Sequence, residues 1–240
     1  MSIKRFVPQP RSWWQNAIDA IVPPIEPMCD PAASDADWQP DLANPDVHYC
    51  YRCGISTGFG EATETGCANC RNERKLWDMV WRLGAYTEPL SDWVVSYKFG
   101  GAWGWGPWFG QRLAEITPTL DESSIVVPVP LHWYRRLSRG YDQAAILAES
   151  FAQAKGVLYA PILRRIKFTR PQTHAKSKSQ RLKNIGNVFE MAPVDLSGYT
   201  VWLVDDVLTT GATLERCIKA LRPGKPARIN VAVIAVRDFR

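Results

Sequence analysis

Residues 200–213 read TVWLVDDVLTTGAT. TVWLV is an unbroken apolar run of β-branched, aromatic and aliphatic residues, the pattern of a strand buried on both faces of a parallel sheet. A helix follows, carried by Leu214–Leu221. Between the two stand adjacent acids and then Thr-Thr-Gly-Ala-Thr. A small-residue turn entering a helix is an anion nest, because backbone N–H groups converge there and the helix dipole favours negative charge. Thr209, Thr210 and Thr213 add hydroxyl donors, Ala212 keeps the turn small, and Gly211 lets the backbone approach an anion closely. Asp205 and Asp206 stand at the C-terminal end of the strand, the usual ligand crevice of an open α/β sheet. Carboxylates there suit neighbouring hydroxyls of a sugar. Together these residues describe a cradle for a ribose 5-phosphate.

The flanking sequence fits the same architecture. Ile125–Pro130 (IVVPVP) predicts a second buried parallel strand. After it, LHWYRRLSRGYDQA forms a basic loop that opens into a helix over Asp142–Lys155, with Asp142 as N-cap. Further upstream, Asp78–Tyr86 alternates as a strand, and Leu90, Trp93, Val94 and Tyr97 recur at helical spacing over Leu90–Phe99. The Gly- and Trp-rich GGAWGWGPWFG that follows reads as a packed hinge or loop in preference to an exposed stacking platform, and a helix runs over Phe109–Ile116. Arg164–Asn187 is polar and basic with few apolar anchors, which predicts a mobile loop or hairpin with a short helix near Ser177–Asn184.

Ahead of this α/β region lie two knuckles, Cys50-Tyr-Arg-Cys53 and Cys67-Ala-Asn-Cys70. A C-x2-C turn aims two thiolates at one point, and a second copy completes a tetrahedral sulfur site that leaves no open position for catalysis. The pattern predicts a structural zinc held by Cys50, Cys53, Cys67 and Cys70; a redox disulfide needs one such knuckle and not two. Cys217 falls on the predicted helix as core filling. The chain therefore divides into an irregular Pro-rich segment (1–47), a zinc-binding four-cysteine module (48–76) and an α/β domain (77–240). The first segment holds 8 of the 18 prolines and one short helix around Ser12–Ile21.

Hydrophobic residues make up 46% and charged residues 22% of the 240, which excludes a wholly disordered or collagenous chain. No apolar stretch is long enough for a membrane span, the N-terminus lacks a signal-peptide core, and six cysteines are too few for a disulfide scaffold. A cytoplasmic location is the expectation. The net charge of +5 is unevenly spread: residues 1–47 hold 3 basic and 7 acidic side chains, whereas residues 131–190 hold 12 basic and 3 acidic. That +9 segment suits phosphates, on a small ligand or along a nucleic-acid backbone, or forms a solvated basic face.

VWLVDDVLTTGAT resembles the phosphoribosyl-pyrophosphate (PRPP) signature of type I phosphoribosyltransferases. With it, the paired Cys knuckles, YKFGG, VPVPLHWYRRLSRGYDQA and TRPQTHAKSKSQRLKNIGNVF resemble the ComF family, the competence protein F and GntX-like group, over about residues 48–236. The resemblance implies a type I phosphoribosyltransferase-like parallel sheet flanked by helices, with a small N-terminal zinc-knuckle module. It implies that Asp205 and Asp206 bind the ribose 2- and 3-hydroxyls, directly or through Mg2+, as the catalytic pair. Thr209, Thr210, Gly211, Ala212 and Thr213 would enclose the 5-phosphate, and Arg135, Arg136 and Arg139 would contact the diphosphate. Residues Arg170–Arg181 match the family's flexible basic loop, which could close over the diphosphate and exclude water. Many members carry an earlier cysteine set, but here Cys29 stands alone and Ser34 and Asp37 occupy the matching positions, so a single zinc is expected. His132 and His174 receive no role.

The chemistry implied is displacement of Mg-pyrophosphate from C1 of the sugar by a nucleophile, with oxocarbenium character in the transition state and an unknown acceptor. Positive charge on the leaving group then matters more than a strong base. By the same resemblance the protein takes part in single-stranded DNA uptake during natural transformation, with a competence helicase or DNA-processing protein as partner. The alternative is a catalytically inactive PRPP-sensing or single-stranded-DNA-binding regulatory protein.

Overall fold

A computed structural model describes residues 38–41, 44, 47–71, 75–131, 140–166 and 188–238. The expected helix at Ser12–Ile21, the positions Cys29, Ser34 and Asp37, His132, Arg135, Arg136, Arg139, His174, the basic loop Arg170–Arg181 and the short helix near Ser177–Asn184 lie outside the described residues.

Among the described residues five strands form one parallel sheet: β3 (Met79–Ala85), β4 (Ser124–Pro128), β5 (Leu158–Tyr159), β8 (Thr200–Leu208) and β9 (Arg228–Val236). Their order across the sheet is β3-β9-β8-β4-β5. A short antiparallel hairpin, β1 (His48–Tyr49) with β2 (Ser56–Thr57), precedes the sheet, and β6 (Leu163–Arg165) pairs antiparallel with β7 (Phe189–Met191) beside it. The helices are α1 (Ala68–Arg71), α2 (Leu90–Phe99), α3 (Trp105–Ile116), α4 (Gln143–Lys155) and α5 (Ala212–Leu221). Among the described residues no helix is long and apolar enough to cross a membrane.

The period-2 alternation of β8 divides its side chains between two cores. Val201 and Leu203 pack with Leu214, Cys217, Ile218 and Leu221 of α5 on one face. Trp202 and Val204 pack on the other with α2, α3 and α4, through residues such as Val94, Leu113, Leu147 and Phe151. Burying each large apolar side chain contributes about 1.5–3 kcal/mol, so both helical layers hold the sheet firmly. Aromatic rings concentrate on the second face: Trp93 stacks on Trp105 at 5.1 Å, and Trp38 meets Trp93 and Trp108 edge-on or tilted. The GGAWGWGPWFG stretch is thus packed, as its sequence suggests. It is a loop only in its first half, since α3 starts at Trp105 and not at Phe109, with Pro107 in the first turn where its missing N–H breaks no helical bond.

Three other boundaries are instructive. Helix α2 spans Leu90–Phe99 as its spacing predicts. Helix α4 starts after Asp142, whose carboxylate accepts a hydrogen bond from the Ala145 N–H at 3.2 Å, and it stops at Gly156 in the left-handed region. Strand β8 outruns the apolar TVWLV and carries Asp205 and Asp206 inside it, because its ladder with β9 continues through Asp205–Val233, Val207–Ala235 and Leu208–Val236.

Candidate functional site

The C-terminal ends of the parallel strands open into a cleft of about 310 Å³. Tyr86 lines it after β3, Val129, Pro130 and Leu131 after β4, and Arg237 after β9. Asp205, Asp206 and Val207 of β8 form its middle, Thr209 and Thr213 flank the entrance to α5, and Lys98, Asp142 and Arg165 supply further charges. This is the crevice in which open α/β sheets bind ligands.

Adjacent residues of a strand point to opposite faces, so the two acids have different surroundings. Asp206 lies on the α2 side, where its Oδ1 accepts a bond from the Lys98 ammonium at 2.9 Å. That oxygen also accepts the Val207 N–H at 2.6 Å. Asp205 lies on the α5 side; its Oδ1 accepts the Asp206 N–H at 2.9 Å. Burial, and then the neighbouring Asp206 charge, pushes the Asp205 carboxyl up to about 8. Burial likewise raises the Cys217 thiol on α5, with the Asp205 charge adding to it.

The turn after β8 is built as its composition suggests. Gly211 holds φ at 78°, a left-handed conformation that L side chains rarely adopt. It is also closely covered: a Cβ placed there would meet the Trp77 ring at 2.9 Å. Thr209, Thr210, Ala212 and Thr213 are exposed, and no side chain caps the N-terminus of α5, although the Ala212 N–H donates to Thr210 Oγ1 at 3.4 Å. Thr213, in the first turn of α5, lines the same cleft as the acid pair. The structure brings Asp205, Asp206, Thr209 and Thr213 into one cleft, with Gly211 and Ala212 in the turn between; Arg135, Arg136 and Arg139 lie outside the described residues.

Five charged or hydroxyl-bearing lining residues were not among the sequence candidates: Tyr86, Lys98, Asp142, Arg165 and Arg237. Lys98 stands within YKFGG, and a lysine in the last turn of an apolar helix is the signal that could have singled it out. Arg237 follows β9, so its place depends on strand order, which no local pattern records.

The four knuckle cysteines converge as well. Their sulfurs all lie within 4.8 Å of one another, with Cys50–Cys70 at 3.8 Å, Cys53–Cys67 at 3.6 Å and Cys67–Cys70 at 4.0 Å. Four thiolates about 2.3 Å from a zinc ion form a tetrahedron with edges near 3.8 Å, so the group could hold one. Hydrogen bonding with Cys53 draws the Cys50 thiol down to about 4, and the same bond together with burial pushes Cys53 up. Burial raises Cys70 to about 11. A zinc ion would hold all four sulfurs as thiolates.

This module is tied to the sheet by Arg82 of β3, which is fully buried. Its guanidinium donates to Gly54 O at 2.6 Å and Ser56 Oγ at 2.8 Å, pairs with Asp41 at 2.7 Å and Asp238 at 3.6 Å, and lies 4.8 Å from the Tyr49 ring. Burial raises the Asp41 carboxyl even with this arginine beside it. Trp77 Nε1 donates to Arg52 O at 2.9 Å, and the Val80 N–H to Tyr51 O at 2.7 Å.

Against known proteins, a phosphoribosyl transferase domain matches residues 137–238. Competence protein F of Haemophilus influenzae is 31% identical over 187 residues, which are 72% of this chain and 78% of that one. The chain belongs to the competence protein F (ComF) family. Competence protein ComFC of Bacillus subtilis is 26% identical over 237 residues, 85% of this chain and 91% of its own. A solved glutamine PRPP amidotransferase from B. subtilis aligns at 20% identity and TM-score 0.37 over 53% of this chain, which spans 25% of that larger one. Within the ComF family the fold here is a type I phosphoribosyltransferase-like sheet with an N-terminal four-cysteine module.

Proposed function

We propose that the cleft binds PRPP with Mg2+, that the protein transfers or senses the phosphoribosyl group, and that it serves DNA uptake in the cytoplasm. One observation carries the reading: an acid pair and an uncapped helix N-terminus entered through a left-handed glycine share one crevice at the strand ends. Asp205 and Asp206 hold the ribose hydroxyls. Thr209, Thr210, Gly211, Ala212 and Thr213 enclose the 5-phosphate, and Arg135, Arg136 and Arg139 meet the diphosphate.

The acid pair also suits Mg2+, which prefers hard oxygen ligands and shares phosphates with one or two carboxylates. Oδ1 of each carboxylate accepts a neighbouring backbone N–H, and Oδ2 would be the oxygen offered to the ion. Bound there, the ion would screen the charge of the departing diphosphate. The protein's own part is to orient the sugar and to place positive charge on the leaving group while the bond from C1 to diphosphate breaks and the bond from C1 to the acceptor forms. Zinc in the four-cysteine module is a structural element of the same reading.

The competence role rests on the names of the relatives and on the +9 charge of residues 131–190, which suits a single-stranded DNA backbone; a helicase or DNA-processing protein would be the partner. Binding to single strands through Z phosphates should then weaken with salt along a log–log slope near −0.7Z.

Calorimetric titration of PRPP into the zinc-loaded protein, with and without Mg2+, tests the central claim. Micromolar, Mg-dependent binding that Asp205→Asn with Asp206→Asn removes is expected. Binding that survives the double substitution would place the ligand elsewhere, and no binding by the wild-type protein would overturn the reading.

A further inference from the structure

We propose that Lys98 positions Asp206 for a ribose hydroxyl and acts on ligand affinity only through that carboxylate; this rests on the PRPP reading above.

Lysine is rarely taken out of water, yet the Lys98 side chain keeps 18% of its exposure and Asp206 16%. The helix turn that carries the lysine is fastened from a second element. Gln143 Nε2 donates to Lys98 O at 3.4 Å, the Tyr97 hydroxyl donates to Gln143 O at 2.6 Å, and the Tyr141 hydroxyl donates to Tyr97 O. The ammonium therefore reaches the acid pair from a fixed support, on the side of the sheet away from α5.

What it does there follows from the hydrogen bonds of Asp206. A carboxylate can rotate about its Cβ–Cγ bond, and one donor does not settle which oxygen faces a ligand. Here both the Lys98 ammonium and the Val207 N–H converge on Oδ1, at 2.9 and 2.6 Å. That pins the plane of the group and turns Oδ2 into the oxygen available to the cleft. The lysine also offsets one of two adjacent negative charges, so Asp206 can stay beside Asp205 without swinging away. Thr209–Thr213, which would take the phosphate, make no hydrogen bond with Lys98 among the described residues. The lysine should therefore matter to the sugar and not to the phosphate.

A double-substitution cycle read by PRPP titration tests this. Lys98→Met should weaken Mg-PRPP roughly tenfold, the value of one well-placed hydrogen bond to a charged group. Asp206→Asn should weaken it at least as much, and the double variant should be no weaker than Asp206→Asn alone. Lys98→Arg, which restores a charged donor, should recover most of the affinity, a rescue that a loss of general packing would not show. If Lys98→Met does not fold, Lys98→Gln replaces it in the cycle. Losses that multiply in the double variant would mean that Lys98 touches the ligand itself, and unchanged affinity in Lys98→Met would mean that the ion pair is only structural; either result overturns the proposal. A wild-type protein that binds no PRPP would overturn it together with the reading beneath it, whereas wild-type binding with a multiplicative cycle sinks this inference alone.

Discussion

Asp205 holds an unusual position for a carboxyl: half-buried, next to another acid, and inside a strand. With its carboxyl raised to about 8, the folded protein keeps a proton that the unfolded chain gives up near the ordinary value of 3.8. Its contribution to stability is thus full below that ordinary value and is lost as pH rises through about 8. Asp205→Asn cannot ionise, so in metal- and ligand-free protein its melting temperature should fall less than the wild type's as pH is raised from about 4 to 8. Each kcal/mol retained is worth about 2–4 °C in a chain of this size. Parallel melting profiles would show that the carboxyl ionises normally. Gly211 is the complementary case. Gly211→Ala forces a side chain into the left-handed region, at a cost of about 1–2 kcal/mol, and drives a methyl group towards the Trp77 ring. It should lower the melting temperature by several degrees and weaken phosphate binding, measured by calorimetry with PRPP. A variant as stable as the wild type would mean that the turn relaxes at no cost.

Elements were legible wherever local chemistry alone specifies them. The spacing of Leu90, Trp93, Val94 and Tyr97 defines α2 to the residue, and Asp142 marks the start of α4 because a carboxylate before an apolar helix has a free N–H to accept from. That cap gives a prediction of its own: Asp142→Ala should cost about 1 kcal/mol, or about 2–4 °C in melting temperature, and a loss near zero would show that packing alone sets the helix start. What escaped was non-local. RINVAVIAV is as apolar as IVVPVP, yet β9 was not among the expected strands, although it pairs with both β3 and β8 and carries Arg237 to the cleft. Without β9 the ladder beyond TVWLV has no partner, so the extension of β8 through the acid pair could not be read either. The motif around Asp205–Thr213 was legible as a site because it is contiguous; Lys98 and Arg165 come from distant elements that only the packing of α2 and β6 beside the sheet brings there.

At the scale of the whole molecule, the question is how a small four-cysteine module stays attached to a sheet that has its own cores. Ile55 packs on the sheet core, Tyr51 meets the Trp81 ring and Gly54 lies against Val80 and Val236, while the polar contacts centre on Arg82. A buried guanidinium is favourable only while its partners stay in place; once one side is removed, the other remains buried and unpaired, at about 3–5 kcal/mol. Arg82→Met keeps the length of the stem and removes the charge, leaving Asp41, Asp238 and the Gly54 carbonyl without it. The substitution should therefore loosen the module even with zinc bound. Removing the metal should act on the same joint from the other side, because four buried thiols with no cation have no reason to stay converged. Elemental analysis of purified wild-type protein is expected to give one zinc per chain. A strong chelator should then make Cys50, Cys53, Cys67 and Cys70 reactive to a thiol reagent and lower the melting temperature, while Arg82→Met should give faster thiol release than the wild type at equal chelator. If the thiols of Arg82→Met were released no faster, the metal and the apolar packing would hold the module in place and the buried arginine would serve only the edge strand that carries it.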